Sequence, residues 1–579
     1  MTESSAPALN PARWHALYVA DLCGGVNCPG VHDVDKYSFD DLFGRIPPRL
    51  SFSVPNRLGA GPRLLEIELR FSSLKDFAPD ALVKRIPVLD GLMRIRTAIS
   101  RFSRADLSAD ALRRALIDAD LPENMRAAVE TLLTPPSRPK QTPAPQTGAP
   151  ADGEQRDALH NIYSMVDLGD HGANNEQAGD SALGALTDAI AGAEGVGPSM
   201  SNVEKAAREI DSLLQKQLEP ILHHPDFLAC EARWRELRLL VDSMDFRAGM
   251  RLSVISCDTD NRIRRMIDDV FRDVWNEGTI GPDMVILGEP SGKTPDELEA
   301  LEDIAKIGQS AQCLMIAWAG PAFFGQESFA NLFQTVGSVR LMLESHGYER
   351  WRAFRDRAEA GWLVLATGAA CARSAYGPEG LRTKTFAYAE TPDGAHRPWL
   401  SASATVAAAL IRAMGEMARG ARDTLHNTPV IDHMPVAPLA HGNGDAVCPE
   451  IWSGDQCWEL SSAGLMPLRC APNDVAVGTA STNTAATDER GIAQAALAGR
   501  CGRIALEAAA RMAGQPPEAI GATIAASIRA LFLPDERYAD DVATVAAEQR
   551  DGAAVYAIRV QAPFAVFGER FSAEVSFQA

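Results

Sequence analysis

Along residues 64–71, Leu65, Ile67, Leu69 and Phe71 alternate with Glu66, Glu68 and Arg70. A period of two gives an extended chain one apolar and one solvated face, so this stretch predicts a strand. Arg49–Val54 predicts its partner, and the intervening "PNRLGAGP" suits a hairpin. The period then lengthens. "DFAPDALVKRIPVLDGLMRIRTAISRF" carries apolar residues at helical spacing with Asp80 in its first turn, and amphipathic helix is predicted as far as about Leu133. There the pattern stops: Thr134–Gln155, rich in proline and small polar residues, cannot bury enough apolar surface to fold and reads as a linker.

After the linker, Leu159, Ile162, Tyr163 and Val166 form one stripe at helical spacing within Asp157–Leu168. Two readings of that helix stand: docked on the domain that follows, or offered to a partner. Two long amphipathic helices come next, broken at His223-His224-Pro225. At a helix C-terminus these histidines are expected to cap carbonyls and complement the dipole rather than hold a metal. From Arg251 strands and helices take turns: "MRLSVISC", a helix through Trp275, "DMVILGE", a helix from Pro295, then "QCLMIAWAG". That alternation implies parallel pairing in an α/β layer. "AAVYAIRVQAP" and "ERFSAEVSFQA" return to period two and predict a C-terminal antiparallel hairpin. The expected division is a small module at 1–133, a linker at 134–157 and a large module at 158–579, helical to 250 and then α/β, giving a mixed α/β fold.

With 579 residues, two to four domains are expected. Apolar residues at 46% and charged residues at 23% are ordinary for a globular chain. A net charge of -20 argues against a nucleic-acid groove, which needs a local excess of Lys and Arg. No apolar run approaches the roughly 20 residues that span a bilayer, and the first residues lack the basic and apolar regions of a secretory signal. A cytoplasmic protein without membrane insertion is expected. The ten cysteines are scattered, with Cys23 and Cys28 the nearest pair; Cys448, Cys457 and Cys470 are too widely spaced for a zinc ribbon. No metal or cofactor is expected.

One stretch suggests chemistry. "DMVILGEPSGKTPDEL" (Asp283–Leu298) orders a strand, a glycine loop and Gly-Lys-Thr as a phosphate cradle would. The loop from Gly288 to Gly292 is one residue short, Pro290 removes an N–H donor, and Glu289 brings a carboxylate toward the phosphate position. A helix start fits better: Thr294 as N-cap, Pro295 at N1 and Glu297 completing a capping box. Metalloprotease, serine-hydrolase and dinucleotide motifs are absent from the sequence, and "HGNGDAVC" (His441–Cys448) reads as a polar loop. An enzyme is not expected.

Several longer stretches carry a resemblance. "ILHHPDFLACEARWRELRLLVDSMDF" (Ile221–Phe246), "WAGPAFFGQESFANL" (Trp318–Leu332), "YERWRAFRDRAEAGWLVLA" (Tyr348–Ala366) and "YGPEG" (Tyr376–Gly380) resemble the large sheath subunit of type VI secretion systems, TssC. "DKYSFDDLFGRIPPRLSFSVPNRL" (Asp35–Leu58) and Leu64–Ile99 are similar to the small subunit, TssB. That family uses two chains; this sequence resembles their fusion. The resemblance implies a contractile-sheath protomer that polymerises with other protomers around an inner-tube protein, meets a baseplate and is recycled by an AAA+ ATPase. It implies two interaction sites: Leu159, Ile162, Tyr163 and Val166 for the ATPase, and Leu17, Val19, Val555, Ala557, Val575 and Phe577 for strand exchange between protomers. The alternative is a non-polymerising paralogue or baseplate-associated accessory protein.

Overall fold

A computed structural model describes residues 13–114 and 200–578, apart from positions 27, 59–61, 105, 109–110, 112–113, 278, 330–331, 333–335, 392–395, 419–429, 440–443, 489, 533–541, 551–552 and 567–568. The first strands are β1 (His15–Ala20), β2 (His32–Val34), β3 (Arg49–Pro55) and β4 (Leu64–Arg70). Then come β5 (Arg251–Ser256), β6 (Met284–Ser291), β7 (Leu314–Ala319), β8 (Leu363–Thr367), β9 (Ala369–Cys371) and β10 (Trp399–Ser401). Short strands follow at β11 (Val430–Ile431), β12 (Ala437–Pro438), β13 (Asp445–Ala446), β14 (Met466–Arg469) and β15 (Val477–Thr479). The last are β16 (Ala543–Arg550), β17 (Ala553–Val566) and β18 (Glu569–Gln578).

Nine of these form one mixed sheet in the order β11-β15-β14-β8-β7-β6-β1-β5-β2. The run from β14 to β5 is parallel; β15, β11 and β2 add antiparallel at the ends. Strands covered on both faces must be apolar throughout rather than alternating. Accordingly β7 (LMIAWA) and β8 (LVLAT) are buried at every residue, and β5 (RLSVIS) at all but the first. The longer helices are α1 (Phe39–Arg45), α2 (Pro79–Arg85), α3 (Pro87–Ser103), α4 (Met200–Leu222) and α5 (Pro225–Ser243). Beyond them lie α6 (Pro295–Ala311), α7 (Ala402–Ala418), α8 (Gly454–Ser462), α9 (Ile492–Arg511) and α10 (Pro517–Phe532). Helix α7 packs over β6, β7 and β8, where the Ser403 hydroxyl donates to the Leu287 carbonyl at 2.6 Å.

The boundaries expected at 133/134 and 157/158 lie outside the described residues. One compact unit gathers Met1–Phe52, Ile67–Ala81 and Ile221–Ala579; the other gathers Ser53–Glu66 and Leu82–Pro220. The cause is β1. It enters the large sheet between β5 and β6, with Tyr18 level with Val254 on one side and Ile286 on the other. Within the second unit, buried Gln217 accepts from Arg57 N–H at 2.7 Å and donates to the Pro55 carbonyl at 3.2 Å, while Arg96 of α3 forks onto Asp211 of α4.

At the C-terminal end the predicted hairpin is present as β17 and β18, and β16 makes it a three-stranded antiparallel sheet. Tyr556, Ile558 and Val560 of β17 are buried while Ala557 and Arg559 are exposed, the alternation of a sheet with one covered face. Helix α10 packs on β16 and β17, and α9 on β18, where Gln494 Nε2 donates to the Ser572 carbonyl at 2.8 Å.

Helix α9 also passes close to the end of α6. A Cβ on Gly499 would lie 2.3 Å from the Gln312 carbonyl oxygen, backbone that cannot swing aside as a side chain would. Gly499→Ala should therefore destabilise the fold by roughly 1–3 kcal/mol, read as a lower urea midpoint. An unchanged midpoint would show that the two segments can separate freely.

Candidate assembly interface

The Gly-Lys-Thr loop is built for packing. A Cβ on Gly288 would fall 2.7 Å from the Tyr18 hydroxyl and 2.8 Å from Ala20 Cβ, so glycine lets β1 lie close. The β6–β7 register shifts between Ile286 and Pro290, a bulge that accommodates proline at the strand end. The predicted capping box is present: Glu297 N–H donates to Thr294 Oγ1 at 3.3 Å, and the Glu297 carboxylate accepts from Thr294 N–H at 3.0 Å. That carboxylate also accepts from Gly292 N–H at 3.1 Å and the Thr294 hydroxyl at 2.6 Å. One expectation needs correcting. The carboxylate over the loop's donors belongs to Glu297, because Glu289 is drawn away to Arg233.

Around Arg233 of α5 lies a buried ion cluster. Its Nε and Nη2 donate to the two Glu289 oxygens at 2.7 and 3.0 Å, and Nη1 donates to Glu236 at 2.9 Å. Glu236 also accepts from the Tyr18 hydroxyl at 2.5 Å and from Ser401 N–H at 2.6 Å. Burial raises the Glu236 pKa, with Arg233 opposing; at Glu289 burial pushes upward too, but the guanidinium outweighs it and the pKa falls below its ordinary value. Alongside is a cavity of about 340 Å³ lined by Asp21, Gly24, Arg49, Cys230, Arg233 and Glu289. It lies outside the carboxyl ends of β1 and β6, where open α/β sheets commonly bind ligands. Here the nearby backbone donors have an internal acceptor: the Asp21 carboxylate accepts from Cys23, Gly24 and Gly25 N–H at 3.1, 2.9 and 2.6 Å. Cys23 and Cys28, the nearest cysteines in the chain, are joined as a disulfide beyond it.

A second cluster centres on Arg373, which donates to Glu231 at 2.9 Å and to Glu390 at 2.7 Å. Arg397 stands 2.7 Å from Glu390 and His223 Nε2 stands 3.5 Å from it. His224 does not cap the preceding helix as expected. Its Nδ1 accepts Asp226 N–H at 3.3 Å, making it the N-cap of α5 ahead of Pro225.

Leu159, Ile162, Tyr163 and Val166 lie outside the described residues. Leu17 and Val19 are buried in β1, whose edges are both taken by β5 and β6. Val555 and Val575 are half-buried, and Ala557 is exposed. Phe577 pairs with Tyr556 across β17 and β18. Among the described residues, β16 and β18 each pair only with β17, leaving an outer edge on both. The buried charge clusters left little trace in the sequence beyond pairs one helical turn apart, Arg233 with Glu236 and Glu231 with Arg235.

Residues 204–485 match the model of VipB: EvpB/VC_A0108, tail sheath N-terminal domain. Residues 29–130 match that of Type VI secretion system, VipA, VC_A0107 or Hcp2. One chain carries both sheath domains. The VipA-like region holds β2, β3 and β4; the VipB-like region holds β5 to β15, and β1 and the C-terminal sheet lie outside both matches. The type VI secretion system sheath protein TssC1 of Pseudomonas aeruginosa is 24% identical over 293 residues, 47% of this chain and 58% of the relative. TssB1 of the same organism is 32% identical over 68 residues, 12% of this chain and 39% of the relative. The chain thus spans less than two thirds of either relative. A chain from the baseplate of the anti-feeding prophage aligns over 54% of this chain and 70% of its own at 12% identity, with a TM-score of 0.33, too low to bear on the fold. No helix among the described residues is long and apolar enough to cross a membrane.

Two measurements test this account of the sheath-domain chain. Because Glu297 occupies the loop's donors, an ATP analogue should show no saturable micromolar binding in calorimetry. Binding that disappears in Lys293→Ala would overturn that account.

The second concerns acid. Burial lowers His15 from 6.5 to about 4. The unfolded chain therefore takes up this proton first, and the associated stability is complete above pH 6.5 and lost as pH falls toward 4. Glu390 sits at about 2: burial alone would raise it, but His223, Arg373 and Arg397 outweigh burial. Its contribution is complete above about 4.5 and lost between 4.5 and 2. Urea midpoints should fall in two stages on acidification, each worth on the order of 3 kcal/mol at most. His15→Gln should remove the upper stage, and persistence of that stage would exclude His15 as its source.

Proposed function

We infer that this chain is a structural protomer of a type VI secretion sheath, with the small- and large-subunit roles joined covalently. The observation that carries the reading is that both sheath-domain families match one chain in order. Such a protomer polymerises with its copies around an inner-tube protein, engages a baseplate and contracts to drive the tube out. It catalyses nothing itself and requires no cofactor. Leu159, Ile162, Tyr163 and Val166 would serve as the handle for an AAA+ disassembly ATPase.

The joint between protomers is assigned to the C-terminal sheet. An open strand edge is an aggregation liability unless something pairs with it, and an adding strand supplies main-chain hydrogen bonds without disturbing a core. Strands β17 and β18, with Val555, Ala557, Val575 and Phe577, are therefore favoured over Leu17 and Val19, since β1 already has a neighbour on each side. Those filled edges also favour the second reading, a self-contained paralogue that does not polymerise or an accessory protein at the baseplate. Electron microscopy of the purified chain, alone and with an inner-tube protein, separates the two.

A chain ending at Gly552 should keep its α/β secondary structure by circular dichroism yet form no tubes. Tubes of normal length from that truncated chain would end the strand-exchange account.

A further inference from the structure

Two cysteines distant in sequence are held face to face beside α8. Asn473 N–H donates to the Asp445 carbonyl at 2.8 Å, and Asp445 N–H donates back to the Asn473 side chain at 3.3 Å. Cys371 N–H, donating to the Val447 carbonyl at 2.7 Å, holds the same segment from another side. Stepping three residues forward from Asp445 and three back from Asn473 reaches Cys448 and Cys470. Their side chains hydrogen-bond to each other, and the Cys470 sulfur also accepts the Cys448 backbone N–H. Cys448 is buried and Cys470 half-buried, so Cys470 is the more accessible residue of the two.

We propose that Cys470 and Cys448 form a peroxide-reactive dithiol, in which Cys470 is the attacking thiolate and Cys448 the resolving thiol. The Cys470 sulfur attacks one oxygen of hydrogen peroxide, the O–O bond breaks, and hydroxide leaves and takes up a proton as water. Cys470 is then a sulfenic acid. Cys448 gives up its proton and attacks the Cys470 sulfur; the S–S bond forms, the S–O bond breaks and a second water leaves. Two thiols have lost two electrons, and peroxide has become two waters.

Selectivity follows from the surroundings. The hydrogen bond from Cys448 is the main cause that lowers the Cys470 thiol below its ordinary value, outweighing burial and Asp474. Among the described free cysteines the other seven are all raised; burial dominates except at Cys448, where its hydrogen bond to Cys470 comes first. A reactive thiol that is accessible and beside a resolving partner is the arrangement of a reversible redox site. The bond would close a loop around α8, which presents Trp458 at 60% exposure and whose Glu459 accepts Val339 N–H at 2.9 Å, capping the short helix Val339–Leu343. Oxidation would therefore brace an exposed platform against the end of β14, at one side of the large sheet.

The test needs only the full-length protein. After brief exposure to hydrogen peroxide and alkylation of remaining thiols, digestion with trypsin and a glutamate-specific protease cuts after Glu450 and separates Cys448 from Cys457. The expected product is a Cys448–Cys470 cross-linked peptide that forms at least about tenfold faster than any other free cysteine reacts, and that dithiothreitol reverses. Cys448→Ser should instead leave a Cys470 sulfenic acid that dimedone traps. Sulfinic acid at Cys470 without cross-link, linkage to Cys457, or Cys470 reacting no faster than the buried cysteines would each overturn the proposal.

Discussion

The guanidinium of Arg233 ties together four stretches that lie far apart in the chain. Directly or through Glu236 it reaches Tyr18 in β1, its own helix α5, Glu289 at the end of β6 and Ser401 in β10. Burying a charge costs several kcal/mol unless its partners are well placed. Arginine suits the site because its planar fork saturates one carboxylate with two donors and keeps a third for another. The same geometry makes β1 and the rest of the sheet depend on each other. Without the Tyr18 hydroxyl, Glu236 loses a donor in a buried setting; without the missing side chain at Gly288, Tyr18 could not reach it. The cluster therefore selects which strand fills the slot between β5 and β6, beyond the apolar fit that many strands could offer.

Features whose cause is local were legible in the sequence. The capping box at Thr294 and Glu297 depends on four consecutive residues, and the apolar runs of β5 to β7 announce strands covered on both faces. The neighbours of β1 were not legible: "HALYVA" reads as a buried strand anywhere, and its partners lie more than 200 residues away in the chain. Glu289 was misplaced for a related reason, since its partner Arg233 lies 56 residues earlier. Arg233 and Glu236, a helical turn apart, look like an ordinary solvated pair until tertiary packing buries them. With His224 the clue was present, because Pro225 at the first helical position makes the preceding residue an N-cap. Strand β16 escaped notice because its small residues, alanines at 543, 546 and 547, give period two little contrast.

The C-terminal sheet separates two demands that usually compete. Its covered face is satisfied within the chain by α9 and α10, so no partner is needed to bury Tyr556, Ile558 or Val560. Among the described residues, its two outer edges have no strand partner. On the open face Arg559 and Glu574 pair at 2.6 Å while both stay more than 70% exposed, so the pair contributes little stability yet keeps that face charged. A charged face resists stacking, whereas an edge invites an additional strand. Association through this sheet, if it occurs as proposed, would be favoured in the geometry in which strands add in line.

Net charge sharpens the same point. A chain carrying -20 repels its own copies, so any self-association would have to be driven by something other than bulk electrostatics. At physiological ionic strength that repulsion is screened beyond about 8 Å, and within that distance only close contacts can outweigh it. Main-chain hydrogen bonds at a strand edge suit the task because both partners are neutral, and forming them removes no side-chain charge from water. A protomer assembled through such edges would hold together most firmly where its copies are least able to repel one another.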